Sequence, residues 1–246
     1  MIAAPLALIP GWGARAQVWE AVVAHLSEPL AVQLLELPGV GGTPGAAGDT
    51  LAHWADALAA RLTQPVVLCG WSLGAMVAME VARRHPALVE ALVLIAATPR
   101  FVACADWPHG LDPDTVARFR AGFATDPQAI LRRFRALQVM GDSHRRELAA
   151  ALESCHPGRS SESDAALAEG LRILAASDLR PCLGELVVRT RIVHGANDSL
   201  MPEAAARWLA DALPDARLTV LQDSGHAVLL SRPHECAVLI ESFLDG

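Results

Sequence analysis

Apolar positions along this chain fall into short continuous runs, separated by stretches in which they recur at helical spacing. Leu6 to Ile9 is the first run, closed by Pro10-Gly11-Trp12-Gly13. Val18, Trp19, Val22, Val23 and Leu26 then recur every three or four positions, predicting an amphipathic helix. Leu30 to Leu37 reads as the next strand, ended by the loop signal Pro38-Gly39-Val40-Gly41-Gly42. Asp49 or Thr50 is positioned to cap a helix through Leu51, Trp54, Leu58 and Leu62. Val66-Val67-Leu68 is a further buried run, and a helix follows it to about Arg84-His85-Pro86, before the apolar stretch Leu88 to Ala96. Continuous apolar runs are what strands covered on both faces show, and their alternation with helices predicts a parallel sheet flanked by helices.

The alternation breaks from about Phe101 to Asp178, where only helical patterns and one polar patch, Gly158 to Asp164, are seen. It resumes with a strand Arg191 to Gly195, a helix Pro202 to Leu213, a strand Arg217 to Leu221 and a helix Pro233 to Leu244. The expected organisation is a core of residues 1–100 and 181–246 with residues 101–180 inserted as a helical lid, or cap. No internal repeat is evident.

Composition narrows this picture. A chain of 246 residues suits one α/β domain with an insertion, and a hydrophobic share of 52 % is ample for its core. No run of about 18 apolar residues occurs, so no membrane span is expected. The chain opens on what reads as a strand, Ile2 to Ile9, without a basic leader, so no secretory signal is expected. Five scattered cysteines, an odd number with no C-x-x-C, fit reduced thiols in a cytoplasmic protein better than a disulfide framework. The histidines lack metal-ligand spacing, so neither a metal nor another cofactor is expected. A net charge of −7 disfavours wholesale nucleic-acid binding. The charge is uneven, however: residues 129–146 hold Arg132, Arg133, Arg135, Arg145 and Arg146 against the single acid Asp142.

The candidate chemistry lies after the buried strands. Gly70-Trp71-Ser72-Leu73-Gly74 is a G-x-S-x-G between a strand and a helix, a context in which the strained turn lifts the serine hydroxyl off the sheet edge. Asp198 follows the strand through Ile192 and Val193, and His226 follows the strand ending at Leu221. In a doubly wound sheet, functional groups gather at those carboxyl ends. A serine needs a base to take its proton as it attacks, histidine suits that work near neutral pH, and a carboxylate fixes the imidazole tautomer. The oxyanion needs preorganised donors, for which the Leu73 and Trp12 amides are the candidates. Asp223 competes with Asp198 for the acid role, Asp215 reads as a turn residue, and His194 reads as structural.

Over essentially its full length the chain resembles the α/β-hydrolase superfamily. More narrowly, it is similar to the carboxylesterases of biotin synthesis. The closer likeness rests on Gly11-Trp12-Gly13, Leu37-Pro38-Gly39, the G-W-S-L-G pentapeptide and several lid segments. These are Asp106-Trp107-Pro108, Arg133-Phe134, Ala136 to Gly141, Gly170 to Leu174 and Asp178 to Arg180. The resemblance implies an α/β-hydrolase fold, a mostly parallel doubly wound sheet with the helical lid inserted after the sixth strand. It implies a monomeric enzyme that removes methanol from a pimeloyl methyl ester carried on acyl carrier protein. Ser72 would be the nucleophile, Asp198 the orienting acid and His226 the base. Trp12 and Leu73 would make oxyanion or substrate contacts, and Phe134, Arg135, Ala136, Leu137 and Gln138 would line the acyl channel. Arg132, Arg133, Arg145 and Arg146 would dock the acidic carrier, whose phosphopantetheine phosphate also suits arginine forks. Three positions depart from the pattern: Pro10 replaces a histidine, Glu36 an aspartate, and Ala129 an expected basic residue. A general esterase or thioesterase without a carrier, or a ligand sensor on a hydrolase scaffold, remain the alternatives.

Overall fold

The structure, a computed structural model, describes residues 4–27, 30–158 and 160–245. Strand β1 (Leu6–Ile9) leads through a short 3₁₀ turn into α1 (Glu20–Val23), and β2 (Val32–Leu34) is followed by α2 (Leu51–Ala59). Then come β3 (Val66–Trp71), α3 (Leu73–Arg84) and β4 (Val89–Ile95). Four helices follow without a strand: α4 (Pro113–Thr125), α5 (Pro127–Gln138), α6 (Arg145–Ser154) and α7 (Ser161–Ala176). The chain closes with β5 (Thr190–Gly195), α8 (Glu203–Ala212), β6 (Ala216–Leu221), α9 (Val228–Ser231) and α10 (Pro233–Leu244).

The sheet runs in the order β2-β1-β3-β4-β5-β6, and every ladder in it is parallel. Alternate residues of each strand feed opposite layers. Leu6, Leu8, Val67, Cys69, Val93 and Ile95 join one apolar cluster with α1, α6, α9 and α10. Ala7, Ile9, Val66, Leu68, Leu92 and Leu94 join the other, with α2, α3, α8 and most of the inserted helices. Both faces of the sheet's inner part are therefore covered, which is why β1, β3 and β4 read as continuous apolar runs.

The helical insertion follows β4, the fourth strand, and not the sixth; two strands come after it. The expected strand Leu30 to Leu37 shrinks to Val32–Leu34, because β2 is an edge strand paired only with the short β1. Leu35 still donates to the Leu8 carbonyl at 3.0 Å before the chain turns into the core. The helix expected over Val18 to Leu26 is a 3₁₀ turn and one α-turn, held by burial of Val18, Trp19 and Val22 and not by its own length. The polar patch Gly158 to Asp164 is a helix start: the Ser160 hydroxyl accepts from Ser163 N–H at 3.0 Å, and α7 runs from there. Ile2 and Arg159, parts of the expected first strand and polar patch, lie outside the described residues.

Strand order reverses direction between β1 and β3, and in such sheets the crevice opens at the carboxyl ends of those two strands. The loop Pro10 to Gly13 and the turn at Ser72 meet there.

Candidate active site

Ser72 sits between β3 and α3 with φ 58° and ψ −119°, a left-handed backbone that costs a non-glycine residue about 1–3 kcal/mol. The surroundings hold it in place. Its N–H donates to the Ile95 carbonyl at 2.9 Å and its carbonyl accepts from Ala75 N–H at 2.9 Å. The flanking glycines are required sterically: a Cβ on Gly70 would stand 2.4 Å from the Gly74 oxygen, and one on Gly74 would stand 2.5 Å from the Pro10 oxygen.

Three segments distant in sequence converge on that turn. The Ser72 hydroxyl lies 2.9 Å from His226 Nε2, and His226 Nδ1 lies 2.7 Å from Asp198 Oδ2. Ser72 and His226 are fully buried and Asp198 nearly so. The other carboxylate oxygen of Asp198 accepts from the Leu200 and Met201 amides, each at 2.9 Å. Burial by itself would raise the Asp198 carboxyl; the His226 and His194 rings and the Met201 amide outweigh it and hold the group below the usual carboxylate range. Asp223, the competing acid, is exposed in a turn at φ 54° and does not take part. His194 is buried behind the acid, its Nε2 donating to the Met201 carbonyl at 2.7 Å.

The Leu73 amide is the first of α3, a position whose N–H has no acceptor within the helix. The Trp12 backbone stands in the loop after β1. Its side chain is buried, with the indole N–H donating to the Leu167 carbonyl at 2.7 Å and the ring packed edge-on against Phe134 at 4.8 Å. The indole thereby ties the β1 loop to α5 and α7. Pro10 introduces no break: its carbonyl packs where Gly74 leaves room. Glu36 reaches back to the same region, accepting from the Ala16 amide at 3.0 Å and pairing with Arg15 at 3.1 Å.

Beside this site an apolar cavity of about 130 Å³ opens between α4, α5 and α7 and the loop after Asp198. Phe134 and Leu137 line it, with Phe119, Leu171 and Leu200 opposite and Arg133 at its margin. Of the residues expected there, Arg135, Ala136 and Gln138 are not in the lining. Helical geometry turns them away: Arg135 is buried against α6 in an ion pair with Glu153, Ala136 is exposed, and Gln138 is buried beside the His226 loop. Arg132, Arg133, Arg145 and Arg146 all face solvent. No carboxylate among the described residues pairs with any of the four. Arg133 instead lays its guanidinium over the Phe119 ring at 5.0 Å.

Two supports had no signal in the sequence. The Trp71 indole N–H donates to the His226 carbonyl at 3.0 Å, and the Ala227 N–H donates to the Gln138 carbonyl at 3.1 Å. Both join positions far apart in the chain, which local spacing does not reveal.

A family model described as the alpha/beta hydrolase fold matches residues 4–233. Among curated proteins, the chain is 49 % identical to a pimeloyl-acyl-carrier-protein methyl ester esterase of Aromatoleum aromaticum, covering 98 % of both chains. It is 37 % identical to the protein of that name from Nitrosomonas europaea, over 94 % of this chain and 91 % of the relative. Among solved structures, an esterase from Exiguobacterium antarcticum superposes with a TM-score of 0.85 at 21 % identity, over 100 % of this chain and 94 % of that one. An enol-lactonase from Burkholderia xenovorans LB400 gives 0.81 at 21 % identity, over 99 % and 92 %, and attests the fold alone. With a parallel sheet, a strained serine elbow and these relatives, the chain belongs to the α/β-hydrolase fold family.

Proposed function

We propose that this protein is a serine carboxylesterase that hydrolyses the methyl ester of pimeloyl-acyl-carrier protein, releasing methanol. The observation that carries the chemistry is the buried chain of hydrogen bonds from Ser72 through His226 to Asp198. The relatives that share 49 % and 37 % of its residues, and are named for that reaction, support the substrate.

The steps follow from the geometry. His226 Nε2 takes the Ser72 proton as Oγ attacks the ester carbonyl, and the imidazolium is stabilised by Asp198. The Leu73 and Trp12 amides receive the oxyanion, a task in which one lost donor typically costs about 100- to 1000-fold in rate. Methanol departs with the proton from His226, and water, deprotonated by the same nitrogen, hydrolyses the acyl-enzyme. The cavity beside Phe134 and Leu137 accepts methylene groups of the acyl chain. The unpaired guanidiniums of Arg132, Arg133, Arg145 and Arg146 steer an acidic carrier toward this side of the molecule.

The test is hydrolysis of pimeloyl-acyl-carrier-protein methyl ester beside free dimethyl pimelate, at about 0.05 and 0.5 M salt, which differ severalfold in screening. The carrier substrate is expected to be preferred, the preference to fade with salt, and Ser72→Ala to abolish turnover of both. Turnover retained in Ser72→Ala would reject the mechanism. Equal, salt-insensitive rates on both substrates would reject the carrier.

A further inference from the structure

The two loops that carry Asp198 and His226 rest on a third segment, the C-terminal end of α5 and the turn after it. The last carbonyls of a helix lack donors within the helix; here the loops add donors to two of them, the Leu137 carbonyl also accepting from the Met140 N–H at 3.2 Å. Ser199 Oγ donates to the Leu137 carbonyl at 3.1 Å, and the Ala227 N–H donates to the Gln138 carbonyl at 3.1 Å. One turn on, Asn197 Nδ2 donates to the Gly141 carbonyl at 3.0 Å. The fit is close throughout. A Cβ on Gly225 would stand 2.5 Å from the Met140 oxygen, and one on Gly141, where φ is +85°, would stand 2.6 Å from Asn197 Cβ. The loops also touch each other: Asn197 N–H donates to the Ser224 carbonyl at 2.9 Å, and a Cβ on Gly195 would stand 2.2 Å from the Gly225 oxygen.

These contacts differ in kind from those Asp198 makes directly. The Leu200 and Met201 amides belong to the acid's own loop, so they orient the carboxylate within that loop. They do not fix the loop against the histidine. Backbone bonds such as Asn197 N–H to the Ser224 carbonyl join the two loops directly, and the bonds to the end of α5 and the turn after it brace both loops from one further segment. We infer that Asn197 and Ser199, on either side of Asp198, are positioning residues that latch the acid loop to the turn after α5 and to the end of α5 itself, and hold the carboxylate in register with His226. The inference rests on the reading of Ser72, His226 and Asp198 as the catalytic triad. It makes the end of α5 part of the catalytic frame although α5 lies in the inserted helical segment. Any opening over the site then leaves this end of α5 in place and proceeds by movement of other elements. A shift of about 1 Å in such a frame is enough to cost up to about 100-fold in rate.

The experiment compares hydrolysis of p-nitrophenyl butyrate by the wild type, Ser72→Ala, Asn197→Ala, Ser199→Ala, Ser199→Thr and the double alanine variant, with thermal unfolding of each. Ser72-dependent turnover by the wild type is the control for the triad reading, independent of the latch. Asn197 is exposed, so its truncation leaves no cavity. Ser199 also borders the acyl cavity, which is why the threonine variant, keeping the hydroxyl, is included. The expected result is a kcat lowered about threefold in each alanine variant and about tenfold in the double, with KM within twofold of wild type. Ser199→Thr is expected to recover most of the activity lost in Ser199→Ala. An unchanged kcat in the double variant would overturn the latch, and so would a fall in kcat no larger than the unfolded fraction accounts for.

Discussion

Asp198 Oδ2 lies 2.7 Å from Nδ1 of His226, and the two side chains are wholly enclosed. Two backbone amides on the other carboxylate oxygen hold the acid in one orientation, and against burial it is the His226 ring foremost, then His194 and the Met201 amide, that keeps it below the usual carboxylate range. Asp198→Asn therefore has a specific outcome. The amide oxygen takes over the two backbone donors, and its NH2 then faces Nδ1, forcing the proton onto Nε2, where it blocks transfer from Ser72. The expected loss is about 10³- to 10⁴-fold in kcat, with the far-ultraviolet circular dichroism of the wild type retained. A loss below tenfold would show that the carboxylate does not set the tautomer.

His194 gives stability a pH dependence. Burial pushes its pKa below the ordinary value of 6.5, against the pull of Asp198 and the Met201 carbonyl, while the nearby His226 adds to the lowering and Glu203 opposes it. The folded protein thus holds His194 neutral, and the unfolded chain binds a proton there below about pH 6.5. Stability from this group is full above that value and is lost as pH falls below it. The urea midpoint of the wild type is expected to drop more steeply between pH 7 and 5 than that of His194→Gln, which keeps a donor for the Met201 carbonyl. Equal slopes would assign the pH dependence elsewhere.

The strands β3 to β6 and the order of Ser72, Asp198 and His226 were legible because they follow from strong local signals. Buried runs such as Val89 to Ile95 are apolar at almost every position, and glycines bracket the serine for steric reasons visible in the motif itself. The choice between Asp198 and Asp223 was not legible. Both follow strands near the histidine in sequence or in space, and only the register of β5 beside β6 brings Asp198 under the ring. Which residues of the segment 134–138 share one face is not legible for a related reason. Residues 134 to 138 span more than one helical turn, so they cannot all face one cavity, and Phe134 and Leu137 take it while Arg135 and Gln138 pack elsewhere. Edge strand β2 was overextended because hydrophobic residues such as Leu35 and Leu37 look alike whether a ladder or the core holds them.

Two glycines separate close approach from backbone conformation. At Gly74 a methyl group would meet the Ile9 and Pro10 oxygens at 2.6 and 2.5 Å, backbone atoms at the end of β1 and the start of the loop after it. Gly74→Ala is expected to cost about 3 kcal/mol or more and to yield little soluble protein. At Gly42 nothing lies within 4 Å, and only its φ of +83° opposes a side chain. Gly42→Ala is expected to cost about 1–2 kcal/mol, read as a modest fall in the thermal midpoint with activity kept. The reverse ranking would contradict the steric account of the elbow.

Asp178 clasps the two ends of the inserted segment. Its carboxylate takes Arg100 Nη1 at 2.6 Å, on the chain leaving β4, and Arg180 through Nε at 2.9 Å and Nη2 at 2.7 Å, on the chain returning toward β5. The backbone closes with it, Leu179 N–H donating to the Pro99 carbonyl at 2.9 Å, and Arg180 lies over the Trp107 ring at 5.4 Å. Hydrogen bonds from Arg180, then from Arg100, overcome the effect of burial and hold the Asp178 carboxyl at about 2. Its contribution is therefore present above the unfolded value near 3.9 and is lost as pH falls through about 2. Asp178→Asn is expected to lower stability at pH 7 by about 2 kcal/mol, the usual scale for lost hydrogen bonds to a charged group. Measured by urea unfolding, that deficit stays constant from pH 7 to 5 and narrows between pH 4 and 3, where the unfolded wild type takes up the proton. A variant as stable as wild type at pH 7, or a deficit that widens in acid, would show that the ends of the insertion are held by packing around Trp107 alone.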